Sequence, residues 1–532
     1  MHQTRKFNSV SKISLYECHP NNALVTDNIV KISTHVSARS GTAIVMDSIG
    51  NIMAATSCRR KLLGRALFIY AASCVLLLLL LSTEIQFVHA RNTANLGSAW
   101  STLGKGQQVL TALTSAPSCR YKLNVQELPG APAGRPKCYV TVDFVNVGSP
   151  DRLQVLVANY LSHGIYSAGG ICTLKLGLDG NLLLIQRGSE IWSSQTANKR
   201  VNAIELQDSG NLVLLTSARK IVWQSFDYPS DTLVSGQKFP LGSILFAADP
   251  NWPYSSAGIY SARVQEYSND LSLFVDFDHP GYTGPIPAYN QTVGSDRYWT
   301  LETVYAEIVN SWQANQARYV ELRNGLSVFA PGDVEFIHAP SNNLNPNNTF
   351  LEYARMEPDG NLKTYVLLGS PGYEHWELNF QALFSLCEFP NACGPYGICS
   401  GIFGPTQKCT GCPRGFHPID PSDLTQGCRR VSKPLSSLCG KSVDVIELPG
   451  VGYSLLQSFY WSGELTPTYP SIQVDSPDQC KAACLSDCAC TSTFYYNITF
   501  FGQYCFKLHT NVHTLQATFS GPPAYNTAFI KT

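Results

Sequence analysis

The sequence has little charge and no excess of either sign. Charged residues make up 14% of the 532 residues, and 38 Lys+Arg balance 38 Asp+Glu. A typical soluble domain has ~25% charged residues. The longest basic run is Arg59-Arg60-Lys61. Because a polyanion needs a basic surface, this composition excludes nucleic acid as the main partner.

Catalytic motifs are also missing. The sequence contains no G-x-S-x-G, no H-E-x-x-H and neither of the kinase signatures H-R-D and D-F-G. Gly440-Lys441-Ser442 has the end of a phosphate-binding loop, but position 435 is Leu where that loop needs Gly. We therefore predict a protein that is not an enzyme and that needs no cofactor.

Only one long apolar segment is present, Ala66–Leu81, and the basic residues at 59–65 precede it. Val88-His89-Ala90 then fits the small-x-small pattern of signal-peptide cleavage. Sixteen apolar residues are few for a bilayer span of ~20. We predict a signal peptide at 53–90, a non-native extension at 1–52 and a secreted chain from Arg91, located outside the cell or in the cell wall. The alternative is an uncleaved signal anchor at 66–81 that tethers the chain to the membrane.

Cysteine is abundant but unevenly distributed. Twelve of the 18 cysteines lie between Cys387 and Cys505, a density typical of oxidising compartments, where disulfides replace core in small domains. Between residue 91 and Cys387 there are only Cys119, Cys138 and Cys172. An odd number leaves one thiol over, and we predict that Cys119 pairs with Cys138 and that Cys172 is spare.

From Tyr139 to about Phe380 the pattern is all-β. Short apolar runs alternate with Asp-Gly-Asn or Ser-Gly-Asn turns, and Asn324-Gly325 predicts a two-residue hairpin. Three segments resemble one another, which predicts strand–turn units related by pseudo-symmetry, as in a β-prism. They are Leu178–Leu184, Gln207–Leu214 and, more distantly, Pro358–Lys363.

One segment carries a family resemblance. Residues 221–233, read as I-V-W-Q-S-F-D-Y-P-S-D-T-L, resemble the signature of plant bulb-type lectins, the S-locus glycoproteins and G-type lectin receptor-like kinases. The layout is similar to that of kinase-less extracellular members with a PAN domain. The resemblance implies a mainly β fold with tandem β-prism II lectin domains at 91–243 and 244–382. It also implies a disulfide-rich EGF-like module at 383–432 and an α+β PAN/apple domain at 437–532.

The sugar motif of this family, Q-x-D-x-N-x-V-x-Y, is incomplete in every copy. The first copy keeps Asp179 and Asn181, and the second keeps Gln207 and Asn211. The third keeps Asp359, Asn361 and Tyr365, with Glu357 for Gln and Lys363 for Val. Four residues are thus the candidate carbohydrate ligands, Asp179, Asn181, Gln207 and Asn211, with the first copy the best placed. The rival interpretation is that these residues are kept for turn geometry.

The cysteine-rich modules come with implied disulfides. The EGF-like resemblance implies Cys387–Cys399, Cys393–Cys409 and Cys412–Cys428. Acidic residues that would bind calcium are missing before Cys387, and Cys409-Thr-Gly-Cys412 has no second half-site for zinc, so we expect no metal. The PAN resemblance implies Cys480–Cys505 and Cys484–Cys490, which leaves Cys439–Cys488.

The PAN segment also contains a helix start, Ser476-Pro477-Asp478-Gln479, with Ser or Asp as the cap and Pro at the first helical position. Three sequons predict N-glycosylation, at Asn290, Asn347 and Asn497. We predict an extracellular binding glycoprotein whose partner is a mannose-type glycan or a plasma-membrane receptor-like kinase. The alternative is a cell-wall structural or secretory glycoprotein without lectin activity.

Overall fold

Strands account for almost all the regular structure among the described residues, which confirms the predicted mainly β class. The computed structural model describes residues 92–102, 108–128, 137–145, 152–157, 171–249, 252–264, 271–276, 295–301, 319–323, 325–330, 333–338, 351–369, 373–401, 404–431, 443–456, 471–498, 502–509, 511–517 and 526–532. All of them belong to one unit, residues 91–532. The predicted signal or anchor segment, the extension at 1–52, Cys439 and the sequons at Asn290 and Asn347 lie outside the described residues.

The first prism has three four-stranded antiparallel sheets. One sheet contains β3 (Gln108–Thr114), β4 (Tyr121–Leu128), β5 (Lys137–Val145) and β6 (Arg152–Val157). The next contains β2 (Ala99–Ser101), β7 (Cys172–Leu176), β8 (Leu182–Gln186) and β9 (Ser189–Ser193). The last contains β1 (Thr93–Asn95), β10 (Ala203–Leu206), β11 (Leu212–Leu215) and β12 (Ile221–Gln224).

The second prism repeats this plan. One sheet contains β15 (Ile244–Asp249), β16 (Trp252–Val264), β17 (Leu271–Asp276) and β18 (Ser295–Thr300). The next contains β14 (Phe239–Pro240), β19 (Tyr319–Leu322), β20 (Leu326–Ala330) and β21 (Val334–His338). The last contains β13 (Thr232–Val234), β22 (Glu352–Met356), β23 (Leu362–Leu368) and β24 (His375–Gln381).

Both prisms have the same strand order. In the first prism, β1 joins the sheet of β10–β12, β2 joins that of β7–β9 and β3 joins that of β4–β6. In the second prism, β13 joins the sheet of β22–β24, β14 joins that of β19–β21 and β15 joins that of β16–β18. Alternate side chains of these strands point inward, as in β7, where Leu174 and Leu176 are fully buried. Since β13 and β14 pair with β22 and β19, the second prism begins at Thr232, earlier than the expected boundary at 243/244.

The hairpin predicted at Asn324-Gly325 is present, although its loop is longer than predicted. Leu322 pairs with Leu326, which leaves residues 323–325 between the paired positions. Asn324 itself lies outside the described residues.

The C-terminal region combines short strands with the one α-helix found among the described residues. A first group contains β25 (Ile398–Ser400), β26 (Lys408–Gly411), β27 (Phe416–Pro418) and β28 (Cys428–Arg430). A second contains β29 (Val445–Pro449), β30 (Val451–Tyr453), β31 (Ser471–Gln473), α1 (Pro477–Leu485), β32 (Ser492–Ile498), β33 (Gly502–Leu508), β34 (Leu515–Ala517) and β35 (Asn526–Lys531). Ser476 is the N-cap of α1, and its hydroxyl accepts the backbone N–H of Gln479.

The two modules expected in this region share one sheet. Strand β25 of the EGF-like segment lies parallel to β34 of the PAN segment, and the sheet order is β26-β25-β34-β30. The Cys393 backbone N–H donates to the Thr514 hydroxyl at 3.0 Å, and the Tyr396 N–H donates to the Val512 carbonyl at 3.0 Å. The EGF-like and PAN segments therefore form one continuous C-terminal unit.

Five disulfides of this unit are described: Cys387–Cys399, Cys393–Cys409, Cys412–Cys428, Cys480–Cys505 and Cys484–Cys490. They are the pairs that the family resemblance implied. Cys488 is also disulfide-bonded, and its predicted partner, Cys439, lies outside the described residues.

The predicted pairing in the lectin region was wrong. Cys138 is bonded to Cys172, not to Cys119, and Cys119 is disulfide-bonded as well. The reason lies in the sheets: β5 and β7 line the same core, so Cys138 and Cys172, both fully buried, come to a Cα–Cα distance of 5.5 Å. Cys172 is therefore not a spare thiol.

Candidate ligand-binding surface

The three motif copies fold as the same turn. In each, the backbone N–H of the residue at the Gln position donates to the carbonyl of the motif asparagine. The three bonds measure 2.8 Å for Gly177–Asn181, 2.9 Å for Gln207–Asn211 and 2.8 Å for Glu357–Asn361. The glycine before each asparagine has a φ between +83° and +93°, a conformation that favours glycine. The predicted pseudo-symmetry is thus present in the backbone.

The motif asparagines bond to the chain that follows the turn. Asn361 is buried, and its side-chain amide both donates to and accepts from the backbone of Leu383, each at 2.9 Å. The Asn211 side chain accepts from the Ser225 hydroxyl and the Phe226 N–H and donates to Gln224 Oε1 at 3.0 Å. Each asparagine therefore clamps its turn to the strand that returns along the same sheet.

The first copy has the same clamp. Asn181 Oδ1 accepts from the Thr196 N–H at 3.0 Å and from the Ser194 hydroxyl at 3.2 Å. Asp179 is exposed, but its Oδ1 accepts the Asn181 N–H at 3.1 Å, as in an Asx turn. Among the predicted ligands, Asn181 and Asn211 thus serve the fold, Gln207 is half-buried and Asp179 faces solvent.

The Gln position of the first copy offers no side chain to a ligand. A Cβ atom placed on Gly177 would lie 2.4 Å from Asp179 Oδ1, so a side chain there would have to displace the Asp179 carboxylate from its Asx turn. Ile185, at the Tyr position, is apolar. The geometry of the first copy therefore disfavours it as the best sugar site.

The third copy keeps the most complete polar surface, and its residues are not among the four predicted ligands. Tyr365 is half-buried, and its hydroxyl donates to Glu357 Oε1 at 2.7 Å. Lys363 Nζ lies 3.4 Å from Asp359 Oδ2. The Tyr365 ring stacks on Tyr353 with a centroid distance of 4.7 Å. Burial, reinforced by the Glu357 hydrogen bond, raises the pKa of Tyr365 well above its usual range, so the hydroxyl keeps its proton.

The exact match to the motif was a poor guide to this surface. Glu357 replaces Gln and Lys363 replaces Val, so a search for motif identity penalises the third copy. The signal that could have found it is chemical: two carboxylates, an amine and a phenol at alternate positions across one turn. Elsewhere in the described residues, no three His, Cys, Asp or Glu side chains group as a metal site requires.

Comparisons with known proteins give two domain matches. Residues 157–244 match the family model described as D-mannose binding lectin, and residues 333–420 match the S-locus glycoprotein domain. The chain contains a bulb-type lectin domain and an S-locus glycoprotein domain.

Similar full-length proteins come from plants. The G-type lectin S-receptor-like serine/threonine-protein kinase At1g34300 of Arabidopsis thaliana is 28% identical over 67% of this chain and 38% of its own length. The PAN domain-containing protein At5g03700 of the same plant is 25% identical over 64% of this chain and 60% of its own length. The Arabidopsis EP1-like glycoprotein 2 is 29% identical over 62% of this chain and 71% of its own length. The chain thus spans little more than a third of the receptor kinase it matches.

A solved structure aligns with part of the chain. A monomeric monocot mannose-binding lectin from Gastrodia elata is 17% identical, covers 25% of this chain and 96% of its own length, and has a TM-score of 0.17.

The bulb-type lectin signature lies at the junction of the two prisms. Its first half continues β12, and Ser225 accepts the Leu212 N–H at 2.9 Å. Its second half is β13, where Thr232 and Leu233 pair with β22 of the second prism. Asp231 is held between the two by the Thr232 hydroxyl at 2.8 Å and by Arg355, and burial raises the pKa of its carboxyl. The signature residues thus connect the prisms.

Proposed function

We propose that the chain is a secreted, extracellular binding glycoprotein of the S-domain lectin type, which recognises a carbohydrate or a receptor protein and catalyses no reaction. Its lectin and S-locus glycoprotein domains support a binding role. Secretion is supported by the likeness to the epidermis-specific secreted glycoprotein EP1 of Daucus carota, 28% identical over 46% of this chain. No helix in the described part of the chain has the length and apolar character to cross a membrane.

One observation carries the proposal about the ligand. The amides of Asn181, Asn211 and Asn361 are all bonded within the fold, so the motif acts first as a turn clamp. Lectin sites are shallow, and each lost hydrogen bond lowers affinity about tenfold. We expect the first two copies to bind mannose too weakly to detect. The third copy, with Glu357, Asp359, Lys363 and Tyr365, is the copy that we expect to retain any binding of sugar hydroxyls.

A titration separates these expectations. The full chain, expressed with its own leader in plant cells, is purified from the medium and titrated calorimetrically with methyl α-mannoside and a mannose-rich glycan. We expect no dissociation constant tighter than about 1 mM. Of the three motif copies only the third should contribute, so Tyr365→Phe should remove the heat that comes from the motif, whereas Asn181→Ala should leave the heat unchanged. A constant below about 100 μM that vanishes in Asn181→Ala would contradict the turn-clamp interpretation.

A second measurement tests the binding role itself. The same chain is immobilised and incubated with detergent-solubilised plasma membranes and with a glycan array. A reduced and alkylated sample of the chain serves as the control. We expect one saturable partner, a receptor protein or a glycan, on the folded chain alone. Equal retention on both samples, or none, would favour the alternative of a structural cell-wall glycoprotein.

Sequencing of the N-terminus tests the predicted removal of the signal peptide. The first residue of the secreted protein should lie near Arg91. Peptides from residues 5–50 in the purified protein would contradict the predicted signal peptide.

A further inference from the structure

An exposed tyrosine lies flat on a buried tryptophan at the end of the first prism. Tyr228 stacks on Trp223 with a centroid distance of 5.7 Å and an interplanar angle of 16°. Trp223 is 8% exposed, whereas Tyr228 is 57% exposed. Trp192 meets Trp223 edge-on at 6.0 Å and fixes its position from the neighbouring sheet. One face of the Tyr228 ring is therefore supported by the protein while much of the ring contacts solvent.

The segment that carries Tyr228 is rigidly held. Residues Ser225–Asp227 form a turn of 3₁₀ helix, and the Tyr228 N–H donates to the Ser225 carbonyl at 3.0 Å. The Gln237 side chain donates to the Phe226 carbonyl at 3.0 Å. Because these bonds order the segment before any ligand arrives, binding there would cost little conformational entropy.

Polar side chains of the residues that precede Tyr228 are fixed by a chain of hydrogen bonds that starts at the motif asparagine. The Asn211 side chain donates to Gln224 Oε1 at 3.0 Å, and Gln224 Nε2 donates to Asp227 Oδ1 at 2.8 Å. Asp227 is exposed and directly precedes Tyr228. The Gln224 amide nitrogen carries a second hydrogen, and a carboxylate can accept several bonds. A donor and an acceptor are thus fixed on the short segment that carries the exposed Tyr228 ring.

We propose that Tyr228, Asp227 and Gln224 form a stacking site for a neutral pyranose, distinct from the three motif copies. The C–H groups on one face of a pyranose pack on the electron-rich face of an aromatic ring. The Asp227 carboxylate accepts sugar hydroxyls, and the Gln224 amide donates to them. A uronic acid is disfavoured because its carboxylate would meet that of Asp227. This site deepens the proposed binding function, on which it rests, by naming the ligand class and its place.

The role of Asn211 follows from the same geometry. Its amide orients Gln224 and does not reach the ligand, so it is a positioning residue. Replacing Asn211 should weaken binding without removing the stacking contact. The motif would then act through the segment that it clamps.

Saturation-transfer NMR on the full secreted chain tests the proposal, because it detects millimolar binding. The probes are methyl α-mannopyranoside, methyl β-glucopyranoside, methyl β-galactopyranoside and galacturonic acid. We expect transfer from the protein to the ring C–H protons of at least one neutral glycoside and weaker transfer to galacturonic acid. Tyr228→Ala should reduce the affinity about tenfold, the size expected for loss of one aromatic contact. Asp227→Asn should reduce it to a smaller extent.

Tyr373 provides the matched control, because it is 86% exposed and lies in the same chain. Tyr373→Ala should leave saturation transfer unchanged, and thermal unfolding of each variant checks that the fold is intact. If no neutral glycoside shows transfer, or if Tyr228→Ala and Tyr373→Ala bind alike, the stacking site is refuted. If transfer is lost in Tyr365→Phe and retained in Tyr228→Ala, the sugar binds at the third motif copy and the stacking site is refuted. A membrane receptor captured in the absence of sugar binding would refute this site and leave the proposed binding role intact.

Discussion

The two prisms and the C-terminal unit achieve order by different means. The prisms repeat one strand plan, and an asparagine side chain clamps each motif turn to its sheet. The C-terminal unit has five described disulfides and only short strands between residues 386 and 430. Where repetition supplies a large apolar core, side-chain hydrogen bonds suffice to fix the turns. Where short strands supply little core, covalent links replace it.

The same comparison shows why the EGF-like segment has a partner. Its buried cysteines, Cys387, Cys393 and Cys399, form a small cluster of their own. Tyr396 and Phe416, in contrast, belong to the apolar core that extends through the PAN segment to the second prism. The shared sheet between β25 and β34 provides the route. A segment too small to fold alone is thus completed by its neighbour.

The largest effect should come from Cys393→Ser, which removes a disulfide between the fully buried Cys393 and the half-buried Cys409 in the C-terminal unit. We expect this variant not to be secreted, since a bridge of this loop size contributes about 3 kcal/mol where there is little core to compensate. Secretion is measured by immunoblot of the medium and the cell fraction.

Cys172→Ser is the matched variant in the first prism. It removes a bridge with a similar entropic contribution, about 4 kcal/mol by its loop length of 34 residues, but the prism keeps its apolar core. We expect reduced thermal stability with secretion retained at a lower level. Equal loss of secretion in the two variants would break the comparison between prism and C-terminal unit.

The second effect sharpens the comparison inside the prisms. Asn361→Ala removes two buried hydrogen bonds and leaves both backbone groups of Leu383 unsatisfied, at a cost of about 3 kcal/mol. Asn181→Ala affects a half-buried side chain and leaves one backbone donor, the Thr196 N–H, without its bond, since the Ser194 hydroxyl keeps the Thr196 hydroxyl as a partner, so it should cost about 1 kcal/mol. Chemical denaturation of both variants gives the two values. Equal losses of stability would show that burial of the asparagine does not decide how much each clamp stabilises the fold.

These asparagines also show what the sequence could and could not predict. The turn chemistry at Asp179 and Asn181 was readable, because Asp-Gly-Asn specifies a local hydrogen-bond pattern. The partners of the amides were not, since Ser194, Ser225 and Leu383 lie just beyond the ends of β9, β12 and β24, more than ten residues from the turns they bond. The Cys138–Cys172 bond was missed for the same reason: which strands line one core is a long-range property, and three cysteines give no local signal. Where a family pattern of six cysteines was available, the five implied pairs that the structure describes are confirmed, and Cys439–Cys488 stays a prediction.

The third effect concerns pH and the junction within the C-terminal unit. Burial lowers the pKa of His513 from 6.5 to about 4, and its Nδ1 lies 3.4 Å from Asn391 Oδ1 across the EGF–PAN contact. Below pH 6.5 the His513 ring binds a proton in the unfolded chain, whereas in the folded chain it stays neutral until the pH approaches 4. Stability should therefore fall as the pH drops from about 6.5 to about 4, by about 1–2 kcal/mol for a half-buried ring.

His513→Gln tests this assignment, since glutamine keeps a polar side chain and does not titrate. Free energies of unfolding, obtained from denaturation curves at intervals between pH 7 and pH 4, should depend less on pH in the variant than in the wild type. Identical pH profiles would assign the loss to other groups.

The smallest predicted effect concerns the Asp487 carboxylate in the PAN segment. Asp487 Oδ2 accepts from Lys507 Nζ at 3.0 Å and lies 3.3 Å from His509 Nε2, and its Oδ1 accepts the Ala489 N–H. The Lys507 hydrogen bond, aided by the others, lowers the pKa of Asp487 from 3.8 to about 2. A depressed carboxylate pKa stabilises the fold above pH 3.8, and this contribution is lost as the pH falls toward 2. Because the site is partly exposed, its contribution should be only about 0.5–1 kcal/mol.

In Asp487→Asn we expect stability between pH 4 and 2 to depend less on pH than in the wild type. The pH dependence between 6.5 and 4, which is assigned to His513, should change little. If the pH dependence of stability between pH 4 and 2 is unchanged in Asp487→Asn, or if it changes together with that between pH 6.5 and 4, then Asp487 and His513 are not independent sites.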